Sequence, residues 1–195
     1  MEGVQPLNPN DTTGVEQYIF NLEATRTWVE QCTRLRLSKD AFLESLSDGV
    51  VLCRLMLCIS PRSVPKINEP EWLTLTLAPI RDDDSTAVDE LISPRNYSPL
   101  SEDDLPLSKR SENVLFFLEA CRDYGLQSSS ICSEQDVFNR NGPQIVACLQ
   151  DLADLTKAKQ WDGPQLLSQP VSQPVVCVLV LPFIGAQRNA TMHDE

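Results

Sequence analysis

The chain has 195 residues and a hydrophobic fraction of 42%, which suits one packed domain with some unstructured sequence rather than two full domains. Lys and Arg number 16 against 28 Asp and Glu, and a formal net charge of −12 argues against nucleic-acid binding, which needs a basic surface. The acidity is local, since residues 69–107 hold ten acids and two bases while 12–68 and 108–159 together hold thirteen of each.

The first predicted element is an amphipathic helix that follows a flexible leader at residues 1–14. From Val15 to Cys32 the apolar residues recur mostly at steps of three and four, the period of one helix face. Trp28 lies on that face, where one indole can anchor several neighbours. Ser38 is a suitable N-cap for a short second helix that we expect to run through Leu46.

A third helix is predicted after Ser47 and Asp48, which supply capping side chains at its start. Pro61 ends it. The following segment, 64–68, is predicted to be extended, partly because a residue before proline is disfavoured in the helical region.

Residues 69–107 interrupt the helical pattern. They contain five of the fourteen prolines, the run Asp82-Asp83-Asp84 and no sustained periodicity. A stretch of this length without a structural pattern is normally functional or disordered. We predict a disordered acidic insert, with a short helix around Trp72 to Leu77.

Two further principal helices are predicted after the insert. Order resumes at Ser108 and the helix there stops at Gly125, a residue that favours the left-handed C-terminal position. A single turn at 136–138 precedes a last helix opened by Pro143. The prediction is therefore an all-α domain over 15–159, with four principal helices, short connecting helices and a flexible tail at 160–195.

Five segments occur in an order that resembles a known family. They are LSDGVVLCRL at 46–55, VPKIN at 64–68, NVLFFLEACR at 113–122, DVF at 136–138 and QIVACL at 144–149. Together with the first-helix tryptophan they resemble the calponin homology domain over about 15–156, outside the insert. On this resemblance the signature of the fold comprises Trp28, Asp48, Gly49, Leu52, Phe117, Leu118 and Leu149.

The resemblance implies a non-enzymatic, cytoskeleton-associated adaptor that binds or regulates actin, and it implies no cofactor. Single copies resemble those of calponin-like, growth-arrest-specific and LIM-linked scaffold proteins, whereas firm actin binding in the family is typical of tandem pairs. The 39-residue insert also departs from the family's short loop. Two alternatives stay open: a protein-docking module of a signalling scaffold without filament binding, and a microtubule-associated domain, which the neutral core disfavours. We expect a monomer whose partner is F-actin or another cytoskeletal or scaffold protein.

Basic residues are the candidates for partner binding, because actin and many scaffold partners present acidic surfaces. Arg34, Arg36 and Lys39 closely follow the first helix, and Arg62 and Lys66 flank the extended segment. The alternative is that these are ordinary solvated charges.

Three serines in the insert are candidate phosphorylation sites. Ser93 and Ser98 each precede a proline, and Ser101 precedes three acidic residues. Phosphate there would deepen the negative charge and screen a nearby basic face. The alternative interpretation is that Ser-Pro marks turns.

The sequence predicts neither catalysis nor a metal site. The one histidine is His193, and Asp82-Asp83-Asp84 lacks the alternating ligands and central glycine of a calcium loop. Cys53, Cys58, Cys121 and Cys148 lie on or beside apolar faces and are predicted to be small core residues.

The sequence also predicts a cytoplasmic location. Residues 1–10 have neither a basic head nor an apolar run. The longest apolar run, 175–184, is far below the roughly 18 residues a membrane-spanning helix needs, so no membrane association is expected. An odd number of cysteines, seven, at irregular spacing is typical of a reducing compartment.

Overall fold

The computed structural model describes residues 11–73 and 95–167. The helices and strands in chain order are α1 (Asp11–Thr33), β1 (Leu35–Leu37), α2 (Phe42–Leu46), α3 (Val50–Ile59), β2 (Arg95–Tyr97), α4 (Leu107–Tyr124), α5 (Glu134–Phe138) and α6 (Gly142–Ala158). The predicted all-α class is confirmed, with α1, α3, α4 and α6 as its four principal helices.

Helix α3 is the centre of the core. Seven of its ten residues are buried, so it is apolar on nearly every side, as expected of a helix surrounded by others. It packs against α4 and α1, and α1 also contacts α6. Trp28 from α1 and Phe117 from α4 are each 1% exposed and fill the space beside it.

The end of α4 follows the predicted glycine stop. Gly125 has a φ of +102°, the left-handed region that side chains other than hydrogen rarely adopt. The Leu126 N–H donates to the Cys121 carbonyl at 3.0 Å, and the Leu126 side chain is buried. This arrangement satisfies a terminal carbonyl and folds the chain back onto the helix.

The insert is shorter than the sequence indicated. Strand β2 lies within the predicted insert 69–107 and pairs in parallel with β1, with Leu35 opposite Arg95 and Leu37 opposite Tyr97. Tyr97, Leu100 and Leu105 are buried in the core. The prediction of disorder is therefore wrong for 95–107, because a three-residue strand and three scattered core residues leave no periodic signal.

At the other end of that segment, residues 71–73 are helical. The rest of the predicted helix toward Leu77, the run Asp82-Asp83-Asp84 and Ser93 lie outside the described residues.

Both ends of the domain extend past their predicted bounds. Helix α1 begins at Asp11, inside the predicted leader. After α6, the Pro164 carbonyl accepts a hydrogen bond from the Trp28 indole at 2.8 Å, and Trp161 and Leu166 pack half-buried against the core. Residues 161–166 thus belong to the domain rather than the tail, whereas the apolar run 175–184 and His193 lie outside the described residues.

Candidate functional site

Two of the five predicted basic residues lie at the surface, one just before β1 and one within it. Arg34 follows α1 with a φ of +56° and is exposed. Leu35 and Leu37 are buried while Arg36 is exposed, because successive side chains of a strand point to opposite sides. The alternation places the Arg36 guanidinium at the outer side of the two-stranded sheet.

The outer side of the sheet borders a groove. Arg36 pairs with Asn96 in the parallel register, and Ser98 lies two residues further along the same exposed side of the β2 segment. We call Arg36, Asn96 and Ser98 the ribbon face. All three line an open groove of about 760 Å³ between α1 and the strands, together with residues of α1 that include Arg26 and Glu30.

The charges of α1 in this groove are already engaged. Arg26 donates to Glu30 at 2.8 Å, to Glu23 at 3.1 Å and to the Leu37 carbonyl at 3.4 Å. Glu30 in turn accepts the Leu37 N–H at 2.7 Å. These contacts fix β1 onto α1 and leave Arg36 as the charged group of the lining without an ion pair among the described residues.

Lys39 and Lys66 are also engaged in ion pairs. Lys39 contacts Glu23 at 2.9 Å, and this bond is the main reason that the pKa of the Glu23 carboxyl falls below its ordinary value. Lys66 contacts Glu112 of α4 at 2.9 Å and lies 5.9 Å from the centre of the Phe116 ring. Bonds from Lys66, then Lys109, lower the pKa of Glu112 to about 2.

The five predicted cations therefore do not form one patch. Arg34 and Arg36 adjoin on the β1 segment, and Lys39 follows them but contacts Glu23. Lys66 belongs to a cluster with α4, and Arg62 is exposed in the turn after α3 with a φ of +75°. Within the described ranges Arg34, Arg36 and Arg62 have no ion pair.

Two of the predicted phosphorylation sites fall in different surroundings. Ser98 is exposed on the ribbon face, beside Arg36. Ser101 is exposed too, but its hydroxyl donates to Asp104 at 2.5 Å and accepts the Asp104 N–H at 3.2 Å. The bond from the Ser101 hydroxyl, followed by one from the Ser101 N–H at 3.1 Å, lowers the pKa of the Asp104 carboxyl. The sequence alone did not indicate Asn96 or Tyr97, since neither belongs to a motif or a periodic stretch.

A buried carboxylate joins β2 to the start of α3. Asp48 is 1% exposed and accepts hydrogen bonds from Val50 N–H at 2.9 Å, the Tyr97 hydroxyl at 2.7 Å and Leu100 N–H at 3.2 Å. Burial raises the pKa of this carboxyl above its ordinary value, and the hydrogen bond from Tyr97 is the largest opposing effect. Asp48 thus bonds the first N–H of α3, although the N-cap residue itself is Gly49, and it also holds the returning end of the insert. Ser47, also predicted to cap α3, instead donates its hydroxyl to the Glu44 carbonyl of α2.

Asn113 of α4 makes a second buried junction. Its amide nitrogen donates to the Asp48 carbonyl at 3.1 Å and to the Asn68 carbonyl at 2.9 Å, while its oxygen accepts the Asn68 N–H at 2.8 Å. Gly49 has a φ of +74°, and a Cβ there would lie 2.6 Å from the Asn113 Cβ. Three of the motifs in the sequence therefore meet at one point.

The family model of the "Calponin homology (CH) domain" matches residues 21–158 of the chain. The chain belongs to the calponin homology domain family. It is 32% identical over 129 residues to the human "DISP complex protein LRCH3", 29% over 135 residues to turkey Calponin-1 and 30% over 135 residues to mouse Calponin-2. These matches cover 65%, 69% and 69% of the chain but only 13%, 57% and 33% of the respective relatives.

Two solved structures of calponin homology domains from Schizosaccharomyces pombe share the fold. The domain of Rng2 superposes with a TM-score of 0.54 at 18% identity, covering 80% of this chain and 78% of that one. The domain of an IQGAP protein gives a TM-score of 0.57 at 20% identity, with coverages of 83% and 82%. At these identities the likeness concerns the fold.

The calponin homology domain here is a non-enzymatic module, in line with its calponin relatives.

Cys53, Cys121 and Cys148 are buried, but Cys58 near the end of α3 is exposed, so its predicted place in the core is wrong. The reason is that Cys58 lies on the side of α3 away from its buried residues. Across 11–73 and 95–167, no helix has the length and apolarity to cross a membrane.

Proposed function

We propose that this calponin homology domain is a cytoskeleton-associated adaptor that contacts F-actin through the ribbon face and the neighbouring Arg34. One observation carries the proposal: Arg34 and Arg36 are adjoining, exposed cations that have no ion pair among the described residues. Membership of the calponin homology family supports an actin-related partner.

The charge distribution favours a weak, salt-sensitive contact. Two guanidinium groups without an ion pair in the described ranges, Arg36 in the groove lining and Arg34 just before β1, steer an acidic surface toward this side of the domain. Guanidinium also pairs well with carboxylates. Exposed charges are screened beyond about 8 Å at physiological ionic strength. We therefore expect binding at low salt that weakens clearly at physiological salt.

Co-sedimentation with purified F-actin at low and physiological salt tests this proposal. The expected result is that Arg34→Gln with Arg36→Gln lowers the pelleted fraction several-fold at low salt. The matched control is Arg122→Gln with Lys157→Gln, which removes the same charge from two other exposed cations that lack ion pairs in the described part of the chain. If both double variants lost the same fraction of pelleted protein, the loss would reflect net charge alone, and the assignment of the site to Arg34 and Arg36 would be wrong.

The acidic insert is proposed to restrain this contact. Residues 74–94 hold five acids and one base, and neutralising them with Asn and Gln keeps the length of the chain. We expect this variant to pellet more strongly than the unmodified chain. An unchanged pelleted fraction would show that the acidic residues do not weaken actin binding. It would not affect the assignment of the binding site to Arg34 and Arg36.

A second candidate function is docking within a multiprotein complex without filament binding. The observation that favours it is the similarity to LRCH3, which by its name belongs to the DISP complex. Here neither salt condition would give pelleting. A partner captured from extract would be lost with the Arg34 and Arg36 variant and kept with the Arg122 and Lys157 control.

A further inference from the structure

Ser98 and Arg36 occupy neighbouring exposed positions on the ribbon face. Arg36 pairs with Asn96, and Ser98 follows two residues later along the same side. A spacing of about 4.8 Å between strands and a rise of about 3.3 Å per residue put the Cα atoms of Arg36 and Ser98 about 8 Å apart. An arginine and a phosphorylated serine side chain together bridge such a distance.

We propose that Ser98 is a phosphorylation site whose phosphate binds Arg36 and closes the ribbon face to its partner. The kinase class is proline-directed, because Pro99 follows. The γ-phosphoryl group of ATP passes to the Ser98 oxygen, the Oγ–H bond is replaced by an O–P bond, and ADP and a proton leave. The effect on partner binding rests on the function proposed above, whereas the phosphate–arginine pair does not.

The charges around the groove favour this pair. The charged residues of the lining are Arg26, Glu30 and Arg36. Arg26 and Glu30 bond to each other at 2.8 Å and each also bonds to Leu37, so their opposite charges largely cancel. Arg36 remains as the donor for a phosphate, which a guanidinium can bind through two parallel hydrogen bonds.

Ser98 is also accessible to an enzyme. Its side chain is exposed, and strand β2 spans three residues paired to β1 alone within the described sheet. Ser98 lies one residue beyond Tyr97, the last paired residue of β2, so its hydroxyl is presented outside the β1–β2 pairing. Once phosphorylated, Ser98 would hold β2 to β1 more firmly than the unmodified strand.

Phosphoserine placed at position 98 by genetic encoding, followed by ³¹P NMR over a pH series, tests the pair without any partner. A free phosphoserine loses its second proton near pH 6. We expect the pKa of phosphoserine 98 to lie about half a unit below that of the same signal in the Arg36→Gln variant. Phosphoserine at Ser101 is the matched control: it faces Asp104, so its pKa should not respond to Arg36→Gln.

Equal pKa values with and without Arg36 would overturn the proposed pair, whatever the partner is. If the pair is present, actin co-sedimentation of the phosphorylated chain should fall to the level of the Arg36→Gln variant. The pair can be present without any effect on actin binding. In that case the unmodified and the phosphorylated chain would pellet equally, and the proposal that the phosphate blocks the ribbon face would be refuted. Absence of pelleting in every form refutes the proposed function and leaves the pair established.

Discussion

Gly49 occupies a position where a side chain would collide with α4. Its φ is +74°, and an added Cβ would approach the Asn113 Cβ to 2.6 Å and the Val114 nitrogen to 2.8 Å. Moving the backbone of a packed helix to relieve this contact would cost free energy. The close approach explains why an aspartate-glycine pair stands at the start of α3, where Asp48 supplies the acceptor and Gly49 the space.

We expect Gly49→Ala to lower the free energy of unfolding by about 2–4 kcal/mol, since it adds left-handed strain to a steric clash. Urea unfolding followed by circular dichroism measures this. Gly14→Ala is the matched control, because Gly14 lies in α1 with nothing within 4 Å of an added Cβ. That change should stabilise the chain by up to about 1 kcal/mol through helix propensity. A neutral Gly49→Ala would show that α4 does not approach α3 this closely.

Asp48 makes the stability contribution of Tyr97 dependent on pH. Burial raises the folded-state pKa of Asp48 above its ordinary value of 3.8, so its stabilising contribution is fully present below that value. The contribution is lost as the pH rises through the folded-state pKa, and the hydrogen bond from Tyr97 reduces this loss. Burial also raises the pKa of the Tyr97 phenol, which keeps it a donor.

Tyr97→Phe should therefore cost about 1–3 kcal/mol on the alkaline side of the Asp48 titration, where the Tyr97 hydroxyl bonds a carboxylate, and clearly less on the acid side, where Asp48 is protonated. Unfolding free energies of both proteins over a pH series that begins below 3.8 provide the comparison. A cost that stays constant, or that grows as the pH falls, would contradict the link to Asp48.

At the scale of elements, the pairing of β2 with β1 fixes the C-terminal part of the predicted insert to the domain. The β2 segment contributes Tyr97 and Leu100 to the core, and both bond to Asp48. Removing all of 69–107 would therefore leave the buried Asp48 carboxylate without two of its three donors. Residues from 95 onward therefore contribute to the folded domain, although they lie within the predicted insert.

Replacement of 74–94 by a Gly/Ser segment of equal length should leave the thermal unfolding midpoint within a few degrees of the original. Deletion of 69–107 should abolish cooperative unfolding or lower the midpoint by well over ten degrees, because several buried contacts are lost at once. Circular dichroism melts distinguish the two. Similar melts for both variants would mean that the β2 segment contributes little to the fold.

The helices could be predicted from the sequence because each has a long apolar period and a recognisable end. The apolar residues of the fold signature are all buried: Trp28, Leu52, Phe117, Leu118 and Leu149. The strands could not be predicted, since three residues are too few to show a period of two and their pairing spans about sixty residues of chain. The basic residues themselves could be identified from the sequence. Which of them form ion pairs could not, because the partners of Lys39 and Lys66 lie in distant segments of the chain, whereas Arg34 and Arg36 have no ion pair among the described residues.

At the scale of the whole molecule, residues 161–166 close the domain across α1. Trp28 would have a buried indole N–H without an acceptor if the Pro164 carbonyl were absent. Trp161 and Leu166 also pack, partly buried, against the core. The calponin homology domain of this chain thus includes a short strap beyond its last helix.

A chain ending at residue 159 should be less stable than one ending at 167 by about 1–3 kcal/mol, from one lost hydrogen bond and re-exposed apolar area. Urea titrations of the two truncated chains, compared at their midpoints, measure the difference. Pro164→Ala in the longer chain is the control, because it keeps the accepting carbonyl and should resemble the unmodified 1–167 chain. Equal midpoints for the two lengths would show that the strap adds no stability.

The anchoring of Tyr97 on Asp48 also bears on how this chain folds and on what its length can tolerate. The bond joins residues 49 apart in sequence, so it forms only after a long loop has closed. The entropy of closing a flexible loop grows slowly, by about 0.6 kcal/mol for each doubling of its length. Lengthening the chain between 74 and 94 should thus slow folding more than it lowers the free energy of unfolding. This stretch is therefore a suitable place to insert a fluorescent protein as a reporter.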